Sequence, residues 1–244
     1  MFVDTDEWDQ EDGRKISSLW SDAAIQKAWG WPSEVKTIEH LDYFVERVQV
    51  YLQPNYTPVR EEILRARQRT TGFTETTYLD SDNSVWTVID VGGQFSERSK
   101  WIHLVSRCSS FIYVVAIDEY NVKSKENKTK SRLACSLETF KEIINSEAYS
   151  QLFPVLFLNK IDKFKSKLEN SDLFEEFKGE YPSYSGSQDW KEAVKVIESD
   201  FRSAMPKKNL VVHHTCVLDG ENMKIVFAEV RQHILVQLLE HTLM

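Results

Sequence analysis

Three short stretches hold residue types whose spacing could do chemistry. Asp90-Val-Gly-Gly-Gln94 sets a carboxylate, two glycines and a side-chain amide after an apolar β run that starts at Ser84, and a charged helical stretch follows. An acid at the carboxyl end of a strand stands where open α/β sheets hold ligands, and Gly92-Gly93 lets backbone N–H groups approach an anion closely. The same residues also fit an ordinary βα turn with a helix-capping acid. Arg65-Ala-Arg67-Gln-Arg69-Thr70-Thr71-Gly72 gathers three arginines beside two hydroxyls, a set that suits phosphate or a basic interdomain linker. Leu158-Asn159-Lys160-Ile161-Asp162 ends another apolar run; its four-letter pattern is weak alone and gains meaning from its place at a strand end.

Other chemistries find little support. Six histidines are scattered, and the adjacent pair His213-His214 would face opposite sides of a strand, so sharing a metal is disfavoured. Cys108, Cys135 and Cys216 are odd in number and lack metal-ligand spacing, which favours idle thiols in a reducing compartment. No Ser/His/Asp or Cys/His pair has a supporting context. A net charge of −8 argues against general nucleic-acid affinity. The lysine-rich run from Lys123 to Lys130 reads as a solvated loop, with anionic lipid as the alternative partner.

The elements that must position these groups follow from periodicity. In 244 residues, 41% hydrophobic and 12% aromatic, no apolar run reaches the roughly 20 residues that span a bilayer. The acidic start, Met1 to Asp12, lacks the regions of a signal peptide and reads as a frayed lead-in to a cytosolic protein. Ile16, Leu19, Trp20, Ala24 and Ile25 fall near helical spacing, and Pro32 opens a second helical region whose stripe runs from Ile38 through Leu41, Phe44, Val45 and Val48 to Leu52. Thr57-Pro58-Val-Arg-Glu61 reads as a capped helix start. After Gly72 the period shortens: Phe73–Leu79 and Ser84–Asp90 predict a hairpin through Asp80-Ser-Asp-Asn83. Phe111–Ile117 and Pro154–Leu158 are continuously apolar, as buried parallel strands are, with a helical stretch at 129–144 between them. Trp190–Met205, Leu210–Thr215 and Met223–Leu239 repeat helix, strand, helix. The alternation predicts a doubly wound α/β sheet behind an all-helical first part.

The residues around the organising stretch match a known family. Asp90-Val-Gly-Gly-Gln94, followed by Ser96-Glu-Arg98 and Lys100-Trp-Ile-His103, closely resembles switch II of heterotrimeric G-protein α subunits, and further blocks recur in order from about Lys15 to the C-terminus. The resemblance implies a Ras-like GTPase domain over 65–244, with switch I at 65–72 and switch II at 90–104, preceded over 1–64 by part of the family's inserted helical domain; Gln53-Pro-Asn-Tyr56 is the best local match there. It implies GTP and GDP as ligands, Mg²⁺ as cofactor, and GTP hydrolysis.

By that resemblance, Arg67 is the arginine supplied in cis to stabilise charge on the γ-phosphoryl group, and Gln94 orients the attacking water. Thr70 and Asp90 hold Mg²⁺, Asp90 through a water. Gly92 and Gly93 meet the γ-phosphate, and Leu64 and Arg65 line the nucleotide. Asn159-Lys160-Ile161-Asp162 reads guanine: Asp162 accepts from N1–H and the exocyclic amine, a donor pair adenine lacks, while the Lys160 stem covers the base and Asn159 fixes the loop. Thr215-Cys216-Val217 resembles the loop whose backbone meets guanine O6, with Val217 in place of the usual alanine crowding the base. The implied partners are the Gβγ dimer, a G-protein-coupled receptor, an effector and RGS-type regulators. The implied location is the cytoplasm and the cytoplasmic face of the plasma membrane, with membrane attachment only peripheral.

The sequence also departs from the family. It contains no Gly-x-x-x-x-Gly-Lys-Ser, the loop that supplies phosphate-binding N–H groups, a lysine and a Mg²⁺-binding serine. A chain without that loop and its strand is expected to leave two inner sheet edges unpaired. The alternative function is therefore a non-catalytic interaction module that binds Gβγ, effector or receptor without turnover. Phe95 replaces an arginine, and Cys135 stands where the glutamate gripped by Arg98 is expected, which would loosen the activated switch. Trp101 is the expected reporter of switch movement.

Overall fold

A computed structural model describes residues 8–30, 39–66, 70–80, 83–206 and 210–243. The chain divides into two compact units, Met1–Gln68 and Arg69–Met244. The first is helical: α1 (Gln10–Trp20), α2 (Ala23–Trp29), α3 (Leu41–Glu46), α4 (Val48–Tyr51) and α5 (Arg60–Arg65). Asp9 caps α1, accepting from the N–H groups of Glu11 and Asp12, and Asp12 returns the bond to Asp9 N–H. The acids at 9–12 are therefore a capping box rather than frayed chain. Asp22 caps α2 in the same way, which splits the single apolar stripe of 16–25 into two helices. The stripe that continues to Leu52 likewise breaks at Arg47, and its first part, 31–38, lies outside the described residues. Thr57 does not cap α5. That helix starts at Val59, whose N–H donates to the buried Glu62 carboxylate at 2.9 Å, and the Tyr56 hydroxyl donates to the same carboxylate.

In the second unit, β1 (Phe73–Leu79) and β2 (Val85–Val91) pair antiparallel, Thr74 opposite Asp90 and Tyr78 opposite Trp86. The helix α6 (Phe95–Val105) follows β2. A separate parallel sheet is ordered β3 (Ser110–Ala116), β4 (Phe153–Asn159), β5 (Val211–Thr215). Crossovers run through α7 (Arg132–Asn145) between β3 and β4. Between β4 and β5 they run through α8 (Ile161–Glu169), α9 (Ser171–Glu180) and α10 (Trp190–Ser203). The last helix is α11 (Gly220–Leu243).

The two faces of the sheet are covered differently. Leu156 and Leu158 of β4 pack with Phe140 of α7, Phe164 of α8, and Ile197 and Phe201 of α10. Val155 and Phe157, on the other face, pack under Val226, Val230 and Ile234 of α11. β4 is buried on both faces, as its apolar run predicts. β3 is not: Ile112 and Val114, in register with Val155 and Phe157, remain 38% and 56% exposed, because α11 lies over β4 and β5. Among the described strands, no hydrogen-bonded pair joins the β1–β2 ribbon to the three-stranded sheet.

Candidate functional site: the carboxyl ends of the strands

The ends of β4 and β5 meet. Asn159 and Thr215 are register partners, and the buried Thr215 hydroxyl donates to Asn159 Oδ1 at 3.1 Å. Lys160 turns the chain with φ 63°, a left-handed conformation that few long side chains adopt, and so launches α8 directly from the strand end. Ile161 is buried beneath, and Asp162 stands in the first turn of α8 against the Cys216 thiol. Burial raises the Cys216 thiol, and the Asp162 carboxylate adds to that rise. Val217 is exposed at the rim. One strand edge thus presents an amide, an ammonium stem, a carboxylate and a short backbone loop, a set with the hydrogen-bonding capacity to read a planar heterocycle.

The end of β2 forms a second cluster. The Thr70 hydroxyl donates to Asp90 Oδ2 at 3.2 Å, so two hard oxygen donors from separate segments lie side by side. Gly92 N–H donates to Gly72 O at 3.0 Å, and Gly72 N–H donates to Glu97 Oε2 at 3.0 Å. Glu97, only 9% exposed, also accepts from Lys100 Nζ at 2.7 Å. The Trp101 indole N–H donates to Gly92 O at 3.0 Å, which couples this side chain to the loop it was expected to report on. Gly93 and Gln94 are exposed, and a methyl group added at Gly93 would meet nothing within 4 Å.

Arg98 does not lack a carboxylate for want of one at 135: its Nη2 donates to Glu126 Oε1 at 3.1 Å, from the lysine-rich loop. Leu64 and Arg65 belong to the first unit, where Arg65 Nη2 donates to Glu61 at 2.9 Å and its Nη1 lies 3.5 Å from His40 Nδ1. Arg67 lies outside the described residues. His213 and His214 do point to opposite faces, His213 toward Phe157 and Glu229, His214 toward Glu198 of α10. No group of three or more His, Cys, Asp or Glu side chains is placed to hold a metal among the described residues.

Two residues escape a reading by motif. Glu97 sits inside the matched Ser96-Glu-Arg98 without a role of its own, yet it ties the 70–72 segment to α6. Asp118 follows the apolar run of β3 just as Asp90 ends that of β2, and that shared grammar was the available signal.

A family profile described as G-protein alpha subunit matches residues 3–234. Among curated relatives, the guanine nucleotide-binding protein subunit alpha of Emericella nidulans is 34% identical over 235 residues, covering 96% of this chain and 65% of that protein. The G-protein complex alpha subunit gpaA of Aspergillus fumigatus is 34% identical over 235 residues, again covering 96% of this chain and 65% of the relative. The guanine nucleotide-binding protein alpha-9 subunit of Dictyostelium discoideum is 35% identical over 230 residues, covering 93% of this chain and 66% of the relative. The chain thus spans just under two thirds of the length of these relatives. With the profile running through nearly every described element and the motif residues gathered at the strand ends, the chain belongs to the G-protein alpha subunit family.

Proposed function

We propose that this chain carries the base-reading edge and the two switch segments of a guanine nucleotide-binding α subunit, a GTP-hydrolysing switch in receptor-coupled signalling. The Thr215–Asn159 hydrogen bond carries the reading, because it holds the two base-facing loops together at one strand edge. Asp162 accepts from guanine N1–H and the exocyclic amine, the Lys160 stem covers the ring, and the 215–217 backbone meets O6. The hydroxyl and carboxylate of Thr70 and Asp90 suit a hard divalent cation, and Mg²⁺ bound there would neutralise phosphate charge. Gly93 offers its N–H to the γ-phosphate, while Gly92, whose own N–H is held by Gly72 O, shapes the loop beside it; Arg67 stabilises charge at the transferring phosphoryl, and Gln94 positions water. Leu64 and Arg65 are further nucleotide-lining residues of this reading. Gβγ, a receptor, an effector and RGS-type regulators are the partners of this reading, at the cytoplasmic face of the plasma membrane.

A second reading, an interaction module without turnover, is favoured by the uncovered side of β3 and by exposed Phe95 and Ile102 on α6. Single-turnover hydrolysis of radiolabelled GTP separates the two, using a version extended at its N-terminus with a Gly-x-x-x-x-Gly-Lys-Ser segment. Under the switch reading, Gln94→Leu and Arg67→Cys each slow that version by about 10²-fold, roughly 3 kcal/mol of barrier, with little change in affinity. An extended version that binds GTP without hydrolysing it supports the module.

A further inference from the structure

Asp118 is a buried acid to which the base-reading account gives no work. It lies in the 3₁₀ turn Ile117–Asn121 that ends β3, two residues beyond Ala116, the register partner of Asn159. Lys160 is one residue beyond that partner, so the acid and the lysine leave neighbouring strands at the same edge. Asp118 is 8% exposed, and its Oδ1 is shut off from solvent without a hydrogen-bond partner among the described residues.

The groups around it are mostly cationic. Lys160 from the loop, and Lys167 and Lys163 from α8, favour its ionised form, whereas Glu119 on its own turn opposes it. Lys167 is committed elsewhere: its ammonium donates to the Asp118 carbonyl at 2.6 Å and to Asn121 Oδ1 at 2.8 Å. Asn121 in turn donates to Glu176 of α9 at 2.6 Å. Burial nonetheless wins at Asp118 and pushes its carboxyl above the ordinary value.

A buried carboxylate oxygen with no donor costs stability, so its retention calls for something it holds in place. Lys160 has such a need. Its backbone is left-handed, and its long stem must lie flat over a base while its charged end is steered away. We propose that Asp118 is a positioning residue for Lys160: the buried carboxylate at the end of β3 fixes the ammonium end of Lys160, and so sets the stem that covers the guanine ring. The proposal rests on the guanine reading above.

The stability sign sets this role apart from a merely structural one. A carboxyl raised in the fold contributes stability below its unfolded value, and that contribution is lost as pH rises through the folded value. At neutral pH Asp118 therefore costs stability, and Asp118→Asn, which keeps the shape and removes the charge, raises the melting temperature. The same substitution weakens binding. Guanosine is the probe, because the base alone needs no phosphate loop, with adenosine as control; both are titrated onto the full chain by ligand-observed NMR from pH 8 down through the carboxylate range. The parent loses guanosine affinity as pH falls through the raised value of Asp118, whereas Asp118→Asn binds about fivefold more weakly at neutral pH and lacks that loss. Lys160→Met, which keeps the stem and removes its charge, loses a similar factor, and the double variant loses no more than either single one.

Circular dichroism on each variant, with Asp118→Ser as a second replacement, reports folding. Unchanged affinity and pH profile in Asp118→Asn overturn the inference and leave the guanine reading standing. Lost affinity accompanied by a lowered melting temperature at neutral pH also overturns it, since that is the mark of a structural acid. A parent that does not prefer guanosine to adenosine overturns the guanine reading, and this inference with it.

Discussion

Gly92 and Gly93 are neighbours of identical composition with opposite packing, and Gly92→Ala tests that contrast. An ideal Cβ at Gly92 would lie 2.8 Å from Glu97 Cγ and 2.8 Å from the Thr70 carbonyl oxygen. The oxygen is backbone, and Glu97 is held by Gly72 N–H and Lys100, so neither can move without breaking a bond. Overpacking of this kind costs about 1–3 kcal/mol. Separating Thr70–Gly72 from α6 also forfeits the Gly92–Gly72 and Gly72–Glu97 hydrogen bonds, about 1 kcal/mol each. The expected loss is therefore about 3–5 kcal/mol in urea unfolding followed by far-ultraviolet circular dichroism, with faster amide exchange at Gly72 and Gly92. Gly93→Ala, with open space around the added methyl, stays within about 0.5 kcal/mol of the parent. Equal stability of Gly92→Ala and parent, or an equal loss in both variants, would refute the account of how the 70–72 segment and α6 are held together.

Two further outcomes follow from single residues. In the version extended with a phosphate loop, Asp162→Asn shifts the preference from guanine toward xanthine nucleotides, since an amide donates to the 2-oxo group; nucleotide competition reads this, and unchanged guanine preference removes Asp162 as the base reader. Burial holds His213 below its ordinary value of 6.5, and its Nε2 is buried without a hydrogen-bond partner among the described residues. A depressed histidine contributes stability above the unfolded value that is lost as pH falls toward the folded one, so the parent weakens in acid below about pH 6.5 and His213→Phe weakens less, as thermal unfolding from pH 5 to 8 will report.

The sequence disclosed most where a local rule suffices. Apolar runs ended by an acid or an amide located β2 and β4, because strand burial and ligand position both follow from where the run stops. The chain breaks inside helical stripes were harder to see. Asp22 caps α2 directly after Ser21 ends α1, but the apolar spacing of 16–25 runs on across them. Long-range partnerships were not legible at all. Arg98 finds Glu126 across 28 residues, and nothing in the spacing of the lysine-rich loop marks that acid as different from its solvated neighbours. The exposure of Ile112 and Val114 was hidden for a related reason: an uninterrupted apolar run promises burial on both faces, while the covering helix is fixed by tertiary packing.

The central claim, that the joined ends of β4 and β5 read guanine, is tested most directly by equilibrium competition on the full chain. GDP and ADP share their phosphates and differ in the base, so each is titrated against a fluorescent guanine nucleotide. The account predicts that GDP displaces the probe at least about tenfold better than ADP, a difference of roughly 1.4 kcal/mol. Equal displacement by the two would contradict it.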